Sequence, residues 1–326
     1  MLAVVVHEPG GPEVLTLEEW PTPEPAPGWV LVRVRALGLN RAELITRAGG
    51  SERVRFPRVL GLVCAGEVVQ APGTELRPGE RVIATMGGMG MEFDGGYAQF
   101  ALVPASSTFP VRTPLEWRSL AAIPASFGTA WGALDALGLE RRQSLLVRGG
   151  SSSVGMAAIA LAAERRIEVF ATTRQERKRA ALEAAGADHV IIDDGRAADA
   201  VRHLAPEGVD GLLELVGPTA CADSLRALGS DGRACIAGSL EGNWDVGPAQ
   251  AEATRLRIPL SRFDSDVINL QSYRHVFGKI VRSLEQGRIA ATVDRTFALS
   301  EIADAHRHME ANGAAGKVVV LTPEGF

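Results

Sequence analysis

Hydrophobic positions change their period along this chain, and the change marks its organisation. Up to about residue 120, short apolar runs at 1–7, 29–37, 64–70, 81–85 and 98–103 are separated by the turn signals Pro9-Gly-Gly-Pro12, Pro72-Gly73 and Pro78-Gly79. Such dense turns between short runs predict an irregular β domain. The proline-rich stretch 21–27 reads as an extended connector. From Ala121 to Asp264 strand and helix patterns alternate: strands at 143–148, 167–172, 189–192, 211–216, 233–237 and 257–262, with helices at 154–165 and centred near Ala181, Val201, Leu225 and Ala251. Strands separated by helices predict a doubly wound parallel sheet, with ligands beyond the C-terminal strand ends. An amphipathic helix at 273–286, a strand at 293–297, a helix at 300–311 and a strand at 317–321 then carry the chain back to complete the first domain.

The junction of the first parallel strand and its helix holds Gly149-Gly-Ser-Ser152-Ser-Val-Gly155. Small residues let a pyrophosphate approach the backbone, and the N–H groups of the helix's first turn offer donors at the positive end of its dipole. In dinucleotide sites an acidic residue about 20 positions further on reads the ribose 2′-hydroxyl, whereas an arginine there accommodates a 2′-phosphate. Here the second strand runs into Thr172-Thr173-Arg174, followed by Arg177, Lys178 and Arg179, and Glu168 lies at the strand's other end. The pattern reads as an NADPH site. Arg174 and Lys178, four positions apart, are expected on one helical face, with Arg179 on the solvent side.

A length of 326 residues suggests two domains, and 46% hydrophobic with 22% charged residues is an ordinary globular composition. No apolar run approaches the 18 or so residues of a membrane span, and no signal-peptide pattern opens the chain, so a cytoplasmic location is expected. A net charge of −5 argues against broad attraction to nucleic acid. Cys64, Cys221 and Cys235 are too scattered for a zinc lobe or a disulfide framework and read as buried small hydrophobes. His306 and His308, two apart on a helix, face different ways and make no metal pair.

Several motifs stand in one order: Gly38-Leu-Asn40-Arg-Ala-Glu43, Pro57-Arg-Val-Leu-Gly61, Pro78-Gly-Glu-Arg-Val82, Gly95-Gly-Tyr97-Ala-Gln-Phe100, Gly128-Thr129-Ala130, the 149–155 turn, Gly186-Ala187-Asp188 and Gly316-Lys317-Val318-Val319. With these the chain resembles, over nearly all its length, the zeta-crystallin-like quinone oxidoreductases of the medium-chain dehydrogenase/reductase superfamily. The resemblance implies an α/β fold: a GroES-like irregular β domain at 1–120 and 265–326, split around a Rossmann domain at 121–264. It also implies a homodimer joined through edge strands, here 257–262.

Carried over by position, Ser151, Ser152, Ser153, Val154 and Gly155 cradle the pyrophosphate of NADPH. Thr173, Arg174 and Lys178 surround its 2′-phosphate, and Lys317 lies near the cofactor phosphates. Val216, Gly238, Phe263, Asp264 and Ser265 line the nicotinamide side, and Asn40 and Thr129 position a small-molecule substrate. Alternative roles are a turn-holding Asn40, a helix-starting Thr129 and a structural Tyr97. The superfamily's zinc enzymes carry a catalytic Cys near the position of Gly38 and a Gly-His-Glu motif at Gly61-Leu-Val63, so no metal is expected here. Many relatives have tyrosines at the positions of Ile45 and, roughly, Asp193, and those contacts do not carry over.

The implied reaction is hydride transfer from NADPH to a quinone or an α,β-unsaturated carbonyl, with no obligatory protein acid or base. The alternatives are an enoyl-thioester or enone reductase using Tyr97 as proton donor, and a non-catalytic NADPH sensor or nucleic-acid-binding protein.

Overall fold

The computed structural model describes residues 1–325. The chain forms two compact units. One comprises Met1–Gly128, Asp266–Gln286 and the C-terminal stretch from Val293; the other comprises Thr129–Ser265 and Gly287–Thr292.

The first unit opens with β1 (Leu2–Val6), which pairs antiparallel with β2 (Leu15–Glu19). β3 (Trp29–Gly38) leads into α1 (Arg41–Arg47), the two-residue β4 (Arg58–Val59), β5 (Val63–Gln70), β6 (Arg81–Thr85), β7 (Phe100–Pro104), β8 (Thr108–Pro110) and α2 (Trp117–Ala122). Val30, Val32 and Val34 of β3 are fully buried, and their branched side chains suit a packed pleated surface. The next helix, α3 (Pro124–Leu137), contains the division between the units. That division falls later than Leu120, because α2 packs against β3 and β5 of the first unit.

The second unit alternates strictly. Its elements are β9 (Ser144–Arg148), α4 (Ser153–Glu164), β10 (Glu168–Thr173), α5 (Arg179–Ala185), β11 (His189–Ile192), α6 (Ala197–Leu204), β12 (Val209–Glu214), α7 (Pro218–Leu225), β13 (Leu228–Ile236), α8 (Gly247–Leu256) and β14 (Leu260–Arg262). The strand order is β11-β10-β9-β12-β13-β14 and every pairing is parallel. This is the doubly wound order, whose direction reverses at β9 and so opens a ligand crevice at the C-terminal ends of β9 and β12. The expected strand 257–262 is shorter than its apolar pattern suggested. Arg257 instead ends α8 in a left-handed conformation (φ 59°), and the Ile258 N–H bonds back to the Ala253 carbonyl.

The chain returns through α9 (Leu270–Glu285), β15 (Val293–Ala298), α10 (Ile302–Glu310) and β16 (Lys317–Leu321). β16 pairs antiparallel with β3 and parallel with β15, which extends a sheet of order β15-β16-β3-β5-β6-β8. That pairing sets Lys317 beside the end of β3, where the Leu39 N–H donates to the Val318 carbonyl.

Candidate active site

In the second unit β9 delivers the chain to Gly149, whose φ of 82° suits glycine. The Gly149 N–H donates to Thr172 Oγ1 (3.1 Å) and the Gly150 N–H to the Thr172 carbonyl (2.9 Å), fastening the turn to β10. Ser152 caps α4 by accepting the Gly155 N–H at 3.1 Å. A Cβ on Gly155 would lie 2.5 Å from the Gly150 carbonyl oxygen and 2.6 Å from that of Gly149, so only glycine lets the helix start this close to the turn. Among the described residues the N–H groups of Ser153 and Val154 have no acceptor, which fits an anionic pyrophosphate. Ser151 Oγ stands 3.4 Å from Thr173 Oγ1 at the end of β10.

The basic cluster is arranged differently from the expected shared face. Gln175 is extended (φ −128°, ψ 116°) and a 3-10 turn begins only at Glu176, so Arg174 lies outside the helix that Lys178 precedes. Arg174 is exposed and has no hydrogen-bond partner among the described residues, whereas Lys178 is buried and engaged. Arg179 is tied down by Glu176 (2.5 Å) and by the Val190 carbonyl (2.9 Å).

On the other side of the strand-order reversal, Val216 and Gly217 follow a buried carboxylate. Glu214 accepts the N–H groups of both (2.7 and 3.3 Å) and the Ser224 hydroxyl (2.6 Å). Burial pushes its carboxyl up to about 7 against those donors and the nearby Arg148. Arg148 is 2% exposed; it grips Asp193 through Nε (2.9 Å) and Nη2 (3.0 Å), and Asp223 through Nη1 (2.7 Å). Asp193 is therefore committed to clamping an arginine. Gly238 lies under the Leu215 carbonyl, and the Phe263 N–H bonds to the Ile236 carbonyl, which fixes the start of the Phe263-Asp264-Ser265 segment. Thr129 is buried inside α3, not at its start.

The first unit contributes a network that sequence reading missed. Asn40 caps α1, and its own N–H donates to Glu43 Oε2 at 2.7 Å, the spacing of a capping box. Glu43 Oε2 also accepts the Tyr97 hydroxyl (2.8 Å); Oε1 accepts Asn40 Nδ2 (3.0 Å) and the Leu62 N–H (2.7 Å). Four donors fill both oxygens of a carboxylate that is 2% exposed. Burial pushes the Glu43 carboxyl upward, and these donors oppose the shift.

Arg47, which only donates, reaches His306 Nδ1 at 3.0 Å and also pairs with Glu310. The proton of neutral His306 therefore sits on Nε2, facing the Tyr97 oxygen at 3.0 Å. Burial and the Arg47 charge hold the imidazole down at about 3. Tyr97 is fully buried, and burial with the Glu43 charge raises its hydroxyl well above the ordinary value. Lys317, expected near the cofactor phosphates, is 2% exposed and donates to Asn40 Oδ1 at 2.6 Å. The capping spacing Asn40-x-x-Glu43 was the one signal of this network in the sequence.

Residues 26–113 match the alcohol dehydrogenase GroES-like domain and 185–320 the zinc-binding dehydrogenase family. The quinone oxidoreductase of Lama guanicoe is 29% identical over 331 residues, covering 98% of this chain and 97% of that one. The human quinone oxidoreductase is 28% identical over 98% of both chains. A solved mycobacterial protein in complex with NADPH is 25% identical with a TM-score of 0.86, covering 98% of this chain and 99% of its own. Over nearly all its length this chain is similar to the zeta-crystallin-like quinone oxidoreductases of the medium-chain dehydrogenase/reductase superfamily. It is an oxidoreductase built to use a nicotinamide cofactor.

Within that superfamily its residues do not fit catalytic zinc. Gly38, Leu62 and Val63 offer no ligand, and burial pushes the neighbouring Cys64 thiol up to about 12. Among the described residues no group of three or more His, Cys, Asp or Glu is placed to hold a metal. The three cysteines are free and buried, and His308 bonds Asp294 on another face of α10 from His306.

The His306 geometry sets a pH dependence. Its folded-state value lies below the ordinary imidazole value, so its share of stability is present above about pH 6.5 and is lost as the pH falls toward 3. Between pH 7.5 and 5 this amounts to about 2 kcal/mol. His306→Gln is expected to lower stability at pH 7.5 but to lose less on acidification than the parent, as read by urea unfolding at both values. Parallel losses in the two proteins would refute the assignment.

Proposed function

We propose that this oxidoreductase transfers hydride from NADPH to a quinone or to the β-carbon of an α,β-unsaturated carbonyl, without a metal. The observation that carries this reading is the 149–155 turn, with its unpartnered N–H groups, followed one strand away by Arg174 in place of an acidic ribose reader. NADPH supplies the hydride. The chain's own part is to hold and orient: Ser151, Ser152, Ser153, Val154 and Gly155 bind the pyrophosphate, and Thr173, Arg174 and Lys178 the 2′-phosphate. Val216, Gly238 and the 263–265 segment shape the nicotinamide side; Asn40 and Thr129 order the substrate side. A quinone or enone delocalises the arriving charge onto its own oxygen, so the missing Lewis acid is no obstacle.

A second reading is supported by the similarity to the acryloyl-coenzyme A reductase of Metallosphaera sedula, 25% identical over 345 residues and covering 99% of this chain. Stopped-flow NADPH oxidation with quinones, enones and enoyl thioesters separates the two. Turnover confined to thioesters would replace the leading reading with the second, and no turnover of any of them would refute both. Chelators are expected to leave the activity intact; one tightly held zinc per chain by elemental analysis would contradict the metal-free mechanism.

Arg174→Ala is expected to weaken NADPH binding by more than about 1 kcal/mol while leaving NADH nearly unchanged. Equal losses for both cofactors, measured by fluorescence titration, would remove the 2′-phosphate role.

The same reading includes a cytoplasmic homodimer. Three free cysteines suit a reducing compartment; recovery of the native protein in a membrane or extracellular fraction would contradict it. Pairing through β14 is supported by its edge position, and Pro259, which lacks an N–H, lies just outside the strand. Light scattering over a dilution series is expected to report a dimer, and a fully active monomer at micromolar concentration would exclude it.

A further inference from the structure

Three carboxylates and two guanidiniums gather around the ends of β9 and β12 in the second unit, and their pairing is uneven. Asp193 takes two N–H groups of Arg148 (2.9 and 3.0 Å), while Asp223 takes one from Arg148 (2.7 Å) and one from Arg226 (2.5 Å), just after α7. Glu214 is fully buried beside them, and among the described residues no guanidinium bonds to it. Its donors are neutral: the Val216 and Gly217 N–H groups on Oε1 and the Ser224 hydroxyl on Oε2. With Glu214 ionised the cluster carries one negative charge in excess. One proton on Glu214 balances it.

Ser224 lets that proton come and go without stranding a buried group. Its Oγ lies 2.6 Å from Glu214 Oε2, 3.2 Å from the Ala220 carbonyl and 3.0 Å from Arg148 Nη1, which only donates. When Glu214 is ionised, the serine hydroxyl donates to Oε2. When Oε2 carries the proton it donates to Ser224, whose own hydrogen turns to the Ala220 carbonyl; a hydroxyl accepts two bonds and gives one, so every partner is kept. Oε1 holds both N–H groups in either state. The other titratable neighbours do not compete for the proton. Burial pushes the Cys221 thiol up to about 12 and raises that of Cys235 on β13, and Glu241, which accepts the Thr219 N–H (2.9 Å), is exposed.

We propose that Glu214 is a positioning residue of the nicotinamide side: it holds the Val216-Gly217 turn and releases a proton to solvent when the cofactor binds in its oxidised form. This rests on the NADPH reading above. Glu214 is the last residue of β12, at the reversal of strand order where a doubly wound sheet places its ligand. The two cofactor forms differ by one charge on the ring, because loss of hydride leaves it cationic. A cation in this crevice favours the carboxylate, so the Glu214 O–H bond breaks, the proton goes to water and Ser224 turns its hydrogen back onto Oε2. The neutral ring of NADPH exerts no such pull. Burial brings the Glu214 carboxyl up to about 7, where a modest field changes its occupancy. The coupling is reciprocal and depends only on the end states, so it requires no open channel to the carboxyl.

The test is calorimetric titration of the full-length protein with NADP⁺ and with NADPH, just below pH 7, in two buffers of different ionisation enthalpy, which counts the protons released. The 2′-phosphate titrates in a similar range but is common to both forms and cancels in their difference. NADP⁺ is expected to release about half a proton more than NADPH, and its Kd to tighten about fivefold relative to that of NADPH between pH 6 and 8. Glu214→Gln keeps an acceptor for the two N–H groups and a donor toward Ser224, so it is expected to bind both forms with equal proton counts. Ser224→Ala removes a donor that holds the carboxyl down and is expected to move the largest difference to higher pH.

Equal proton counts in the parent, or an undiminished difference in Glu214→Gln, would overturn the proposal and leave the cofactor reading standing. If the melting temperature shows that Glu214→Gln does not fold, Ser224→Ala decides, and an unmoved maximum overturns the relay. Binding of neither form would overturn the cofactor reading and the proposal with it.

Discussion

The first unit turns on one buried anion. Glu43 is removed from water, and a lone carboxylate there would be untenable; it persists because four donors from three separated segments converge on it. Those donors are the start of α1, the Leu62 backbone after Gly61, and Tyr97 behind the Gly95-Gly96 turn. Through Tyr97 and His306 the same anion is coupled to α10, and through Asn40 to the first residue of β16. The direction of each hydrogen bond follows from the two ends, since arginine and lysine only donate, so the chain of bonds points inward from both. Removing one member would leave a buried charge incompletely solvated, a change that typically costs about 3–5 kcal/mol.

The second unit uses the opposite sign for a similar purpose. Arg148 ends β9 in a buried position, and its guanidinium is divided between Asp193 after β11 and Asp223 on α7. Glu214 sits beside it and uses its lone pairs on the backbone of Val216 and Gly217. The C-terminal ends of β9 and β12, where the strand order reverses, are thus stiffened by paired charges beneath the surface. The upper surface remains free for glycines and serines to present N–H groups outward. A rigid floor under a permissive rim is what holding a pyrophosphate requires.

The strictly alternating sheet was legible because parallel strands buried on both faces appear as continuous apolar runs. The tight turn at 149–155 was legible because its glycines are forced by close backbone approach. β2 and β4 were not: Leu15-Thr-Leu-Glu-Glu19 is largely solvated, and β4 is two residues long. The helical face assumed for Arg174 and Lys178 failed because an extended Gln175 intervenes, a backbone choice with no strong residue signature. Asn40 was expected on the substrate side, with turn-holding as the alternative; the structure places it at the start of α1, and its partners were invisible in the sequence. Lys317 and Asn40 are 277 positions apart, and Tyr97 and His306 are 209 apart. Periodicity describes neighbours along the chain, whereas a buried polar network is specified by the tertiary fold.

Gly38 has a consequence for how such sites diversify. Its missing side chain is volume already occupied by the stem of Lys317, with the Ala121 carbonyl closing the other side. A thiol at position 38 would meet two walls, one yielding and one fixed: the lysine stem can bend aside, but the Ala121 carbonyl belongs to the backbone of α2. A metal ligand there would require α2 to move away from the end of β3, a shift that no replacement of the lysine supplies.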